Sequence, residues 1–85
     1  MRLYLQTPPE PSINPRYYQL VLEQDLFGDW ILLREWGSQG QRGNGRREVF
    51  LERDQALAAF ERARDVQIKR GYQVMFTKGM ENPYG

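Results

Sequence analysis

The sequence predicts an α+β fold, a small antiparallel β-sheet with one α-helix packed across a face. Three observations point there: strand-like alternation recurs between Arg16 and Leu51, one helical stripe runs from Asp54 to Gly71, and the strands precede the helix. At 85 residues the chain is long enough for one domain with one small core. It has no Cys, so that core must hold without a disulfide or a zinc–thiolate site.

The first element is the short apolar run Leu3–Leu5, expected as an edge strand. Four prolines, at 8, 9, 11 and 15, then make residues 7–15 a loop, because proline fixes φ and donates no ladder hydrogen bond. Arg16 to Gln24 alternates as a strand, with Tyr18, Leu20 and Leu22 on one face and Tyr17, Gln19, Val21 and Glu23 on the other. Asp25-Leu26-Phe27-Gly28-Asp29 supplies a turn. Trp30 to Trp36 is a second long strand, apolar on both faces at its start and polar near its end, as expected of a central strand whose far end is exposed. Residues 37–45 contain four glycines and form a tight connection. Arg46 to Leu51 is the next strand.

Asp54 is the expected N-cap of the helix, which buries Ala56, Leu57, Phe60 and Ala63, with Ile68 at the margin. Lys69 and Arg70 suit its C-terminal end and Gly71 its C′ position. Tyr72 to Phe76 is expected as a last edge strand. The domain is expected over residues 1–76, with the proline-rich loop 7–15 inside it and 77–85 as a C-terminal tail.

Composition excludes much chemistry. Without His or Cys there is no Ser-His-Asp triad, no Cys-His nucleophile and no imidazole-ligated metal. No apolar run approaches the length of a membrane span, and Met1–Gln6 is too short and mixed for a secretory signal peptide. These absences lead to an expectation of a soluble cytoplasmic protein that is not an enzyme, has no cofactor or metal, and has no membrane partner. The Gly40…Gly45 segment is not a nucleotide-hydrolase phosphate loop, because Arg46-Arg47 opens a strand where that motif needs Lys-Ser/Thr opening a helix.

Net charge is only +1, yet its layout is uneven. Residues 1–33 sum to −2, residues 34–53 to +2 and the remainder to +1. Ten of the 12 cations are arginine, whose planar fork recognises phosphate bidentately. Trp36 ends a strand beside Arg34 and just upstream of Arg42, Arg46 and Arg47. Two roles fit it: closing one end of the core, or stacking on a base or sugar at the rim while the arginines hold phosphates.

Trp36-Gly37-Ser38-Gln39-Gly40, reached from an apolar strand and followed by Gly43, resembles the signature of the WGR domain family. Tyr17-Tyr18-Gln19-Leu20 is similar to the family's first strand, Leu26 to Trp30 to the approach in small bacterial members, and Asp54 to Gly71 to its helix, so the likeness spans residues 3–76. The family occurs in DNA-damage-dependent poly(ADP-ribose) polymerases, in bacterial regulators and as short stand-alone bacterial proteins. The resemblance implies binding of DNA near a strand break, with Trp36 packed on a terminal nucleotide and Gly37 and Gly40 permitting close backbone approach. It implies no catalytic residue. Ser38 departs from the pattern, since the family has arginine there.

The sequence therefore points to a nucleic-acid-binding module, for DNA rather than RNA, with Trp36, Gly37, Gly40, Arg34, Arg42, Arg46 and Arg47 as its contacts. The alternative is a protein-interaction module that docks another chain through an exposed sheet edge or Tyr72–Phe76.

Overall fold

A computed structural model describes residues 1–79. It contains five strands and one helix: β1 (Arg2–Gln6), β2 (Arg16–Gln24), β3 (Trp30–Ser38), β4 (Asn44–Phe50), α1 (Arg53–Lys69) and β5 (Gln73–Lys78). The strands form one sheet in the order β4-β3-β2-β1-β5, and every neighbouring pair is antiparallel. The expected α+β architecture is present. The first four strands make a meander, and α1 carries the chain back over one face so that β5 joins the far side of β1.

That crossing corrects one expectation. Leu3–Leu5 lies in β1, which is flanked by β2 and β5 and is therefore interior; the edges are β4 and β5. Burial agrees, with Leu3 and Leu5 both sealed. The strand ends also differ from the alternation pattern. β3 runs on through Gly37 to Ser38, and β4 begins at Asn44, because the hairpin between them keeps its ladder pairing as far as Trp36↔Asn44. β5 extends to Lys78.

The core lies between α1 and the sheet. Leu3, Leu5, Tyr18, Leu20, Leu22 and Leu32 meet Ala56, Ala59, Phe60 and Ala63, with Trp30, Trp36, Phe50, Leu57 and Tyr72 packed around them. Three alanines let the helix sit close to the sheet, and Phe60, fully buried, fills the middle. The helix turns slightly from the expected stripe. Ala59 and Gln67 are buried while Leu57 is half-buried and Ile68 exposed, as the 3.6-residue period through 56, 59, 60, 63 and 67 requires. The N-cap is Glu52, whose side chain makes no capping bond; Asp54 stands instead in the first turn, where its charge still suits the helix dipole. Gly71 takes a left-handed φ of 98° just after the helix, as a C′ glycine does.

The β2–β3 turn is organised by Asp25. Its carboxylate accepts from the Phe27 and Asp29 N–H groups, both at 2.9 Å, which holds Leu26 and Phe27 out in water.

Candidate nucleic-acid interface

β-strand parity decides what can act together. Along β3 the helix-side face carries Trp30, Leu32, Arg34, Trp36 and Ser38. Register places Tyr18 of β2 and Asn44 of β4 beside Trp36, and Leu20 and Arg46 beside Arg34. At this end of the sheet the face is no longer covered by the middle of α1, since the helix runs back from the far end and finishes here.

Trp36 serves the core and the surface together. Its ring stacks on Tyr18 at 5.8 Å between centroids and 13° between planes, and Tyr18 in turn meets Tyr72 edge-on at 6.3 Å. These three rings form a row across the sheet end. One face of the indole is thereby packed, yet the residue as a whole is only half-buried. An aromatic ring held by a stacked neighbour is pre-oriented for a further stacking partner and loses little entropy on binding one.

The loop Gln39–Gly43 closes the hairpin under steric control from Tyr17. A Cβ on Gly43 would collide with the Tyr17 hydroxyl and come within 2.9 Å of the Trp36 carbonyl oxygen, and one on Gly37 would lie 3.0 Å from the Gly43 Cα. The close approach that Gly37 permits is thus made by the loop's own backbone. Gly40 turns the loop at φ 79° with open space around it. Gln39 fastens the loop to the sheet: its N–H donates to the Pro15 carbonyl at 2.9 Å, and its side-chain amide donates to the Tyr4 hydroxyl and the Gln6 side-chain oxygen. Tyr4 is itself stacked on Tyr17.

The four arginines singled out in the sequence separate. Arg34 lies on the Trp36 face, but its Nε contacts Glu48 Oε1 at 2.6 Å and both side chains are about one-fifth exposed, 22% and 21%. Both atoms are shielded from water and neither makes an aligned hydrogen bond, so this is a close charge contact. Arg34 is therefore neutralised in place. Arg46 is exposed on the same face. Arg42 is exposed on the loop. Arg47 is exposed on the opposite face, across from Leu33. Among the described residues Arg42, Arg46 and Arg47 make no ion pair.

Arg16 also lies at this end of the sheet, and sequence reasoning passes over it, since there it only opens a strand. It is the cross-strand partner of Ser38 and shares the face of Tyr18 and Trp36. Its parity with Tyr18 is the available signal; its partner across the ladder is not visible in the sequence. Among the described residues no group of His, Cys, Asp or Glu is arranged to hold a metal ion, and no helix is long and apolar enough to cross a membrane.

Fold and site together define a small α+β domain with a partly buried tryptophan at the mouth of a glycine-rich hairpin. The chain belongs to the WGR domain family, whose model matches residues 1–78. It is also similar to the uncharacterized protein y4dW of Sinorhizobium fredii, 38% identical over 73 residues that make up 85% of this chain and 35% of that protein. The chain thus spans about a third of the length of that relative. No solved structure gives a significant match.

Proposed function

We propose that this domain is a non-enzymatic, cytoplasmic DNA-binding module that engages duplex ends or other irregular sites. The observation that carries this reading is the partly buried Trp36 ring, braced by Tyr18, on the same face and at the same end of the sheet as the guanidinium groups of Arg46 and Arg16, which make no ion pair among the described residues. A terminal base pair stacks on the indole. Arg46, Arg16 and, from the loop, Arg42 contact the flanking phosphates. Arg34 acts by holding Glu48 and shaping the strand pair, and Arg47 reaches only a phosphate that wraps round the β4 edge. The domain's place in the WGR family, whose polymerase members bind DNA, supports the same reading.

The position of the family's signature arginine is occupied here by Ser38. Arg16, directly across the ladder, supplies a cation to that neighbourhood from β2.

The test is binding of an end-labelled blunt duplex at two salt concentrations. The log–log slope should be about −0.9 per phosphate contacted. Trp36→Leu, which keeps apolar packing and removes the stacking platform, should weaken binding by about 1–3 kcal/mol. Absence of binding even at low salt overturns the proposal. A second reading, docking of another protein by strand addition, is favoured by the half-exposed Val74, Met75 and Phe76 on edge strand β5. It predicts a Trp36→Leu variant with undiminished partner binding.

A further inference from the structure

Resting on the DNA reading above, we propose that the hollow between the proline-rich loop and the end of α1 holds one unpaired nucleotide, so that the domain prefers duplex ends carrying a single-stranded overhang. The hollow has a volume of about 400 Å³ and is lined by Thr7, Pro8, Glu10, Ile13, Asn14 and Arg16 on one side and Arg70 and Gly71 on the other. That volume falls within the usual span of small-molecule sites, about 300–1,000 Å³.

Its walls are pinned in place. The Thr7 N–H donates to the Arg16 carbonyl and the Arg16 N–H to Thr7 Oγ1, both at 2.9 Å, which closes the loop at its base. The Ile13 N–H donates to the Glu10 carbonyl at 3.3 Å within it. Four prolines restrict the chain between these points. Little ordering is therefore left for a ligand to impose.

The lining matches a nucleotide in parts. Pro8 and the exposed side chain of Ile13 offer apolar surface to a base. Glu10 and Asn14 offer an acceptor and a donor to its polar edge. Arg16 and Arg70 make no ion pair among the described residues, and two unpaired guanidinium groups round one hollow favour a phosphate between them. Position adds to this chemistry. Arg16 is one pairing step, two residues or about 6.6 Å along β2, beyond the Tyr18–Trp36 row on the same face. A strand whose last paired base stacks on Trp36 has its unpaired continuation delivered to this hollow.

The experiment compares fluorescence anisotropy of a blunt hairpin duplex with the same hairpin carrying a short oligo-dC overhang, using the full chain. The native protein should bind the overhang at least about fivefold tighter, the lower end of what stacking one base supplies. Ile13→Ser with Arg70→Gln, neither of them in the Trp36 contact set, should lose that preference and keep blunt-duplex affinity; a melting curve of the variant checks its fold. Equal affinity of the native protein for both probes overturns the pocket and leaves the DNA reading standing. Full overhang preference in the folded variant also overturns it. Binding to neither probe removes the DNA reading and the pocket with it.

Discussion

Gly43→Ala tests how the hairpin at the site is built. The new Cβ would meet three atoms: the Tyr17 hydroxyl in direct collision, the Trp36 carbonyl oxygen at 2.9 Å and Tyr17 Cζ at 3.3 Å. Backbone conformation contributes nothing, because Gly43 has no positive φ. The cost is therefore overpacking, about 1–3 kcal/mol. In a domain of this size that lowers Tm by about 4–8 °C per kcal/mol. The collision has two parts that a second substitution separates. Tyr17→Phe removes the hydroxyl and leaves the Trp36 carbonyl in place, so Gly43→Ala should cost less in the Tyr17→Phe background than in the native one. The non-additivity should be about 0.5–3 kcal/mol, as for residues in contact. Thermal and urea melting of the four proteins in this cycle give the numbers. A Gly43→Ala protein as stable as the native one would refute the steric account of the loop, and so would strict additivity with Tyr17→Phe.

Three further outcomes are expected. Phe60→Ala removes the largest fully buried side chain and should cost about 3–5 kcal/mol, enough to leave so small a domain largely unfolded by circular dichroism at physiological temperature. Glu48→Ala strands the Arg34 guanidinium in a mostly shielded position; since both side chains keep about a fifth of their exposure (22% and 21%), the loss in urea melts should be about 1–3 kcal/mol, below that of a fully buried pair, and Arg34→Met with Glu48→Leu should recover most of it. Gly71→Ala forces a Cβ into φ 98° with no neighbour within 4 Å, so melting should show a loss of about 1–2 kcal/mol from backbone strain alone, and Gly71→Asn a smaller one.

Local pattern carries much of the architecture. Arg16–Gln24 is bounded as its alternation predicts, and the same alternation sets its buried face, since a one-residue slip would turn Tyr18, Leu20 and Leu22 away from the helix. The helix is marked at both ends by charge and by Gly71, and its buried stripe keeps Ala56, Phe60 and Ala63 as expected while taking in Ala59 and Gln67 and leaving Leu57 and Ile68 at the shoulders. The cap of α1 falls two residues before Asp54, because an aspartate is chemically a good cap and equally at home in a first turn. β1 departs further, from edge to interior. Three apolar residues before a proline run say strand, and nothing in them says that a segment some seventy positions later will pair along their free side.

The candidate site divides along the same line. Trp36, the glycine hairpin, and the wealth of arginine are properties of the chain read in order, and they are enough to point to the family. Which arginines share a surface is a property of pairing. Alternation puts Arg34 with Trp36 and sets Arg46 and Arg47 on opposite faces of their own strand, but the register that brings Arg46 to the Trp36 face, the Glu48 contact that neutralises Arg34, and the arrival of Arg16 opposite Ser38 come from strands meeting across the ladder. Sequence alone determined the kinds of element and the chemistry available, since both depend on neighbours within a few residues. The tertiary structure alone decided which charges remain free, because that is set by contacts between groups brought together only when the sheet closes and the helix crosses it.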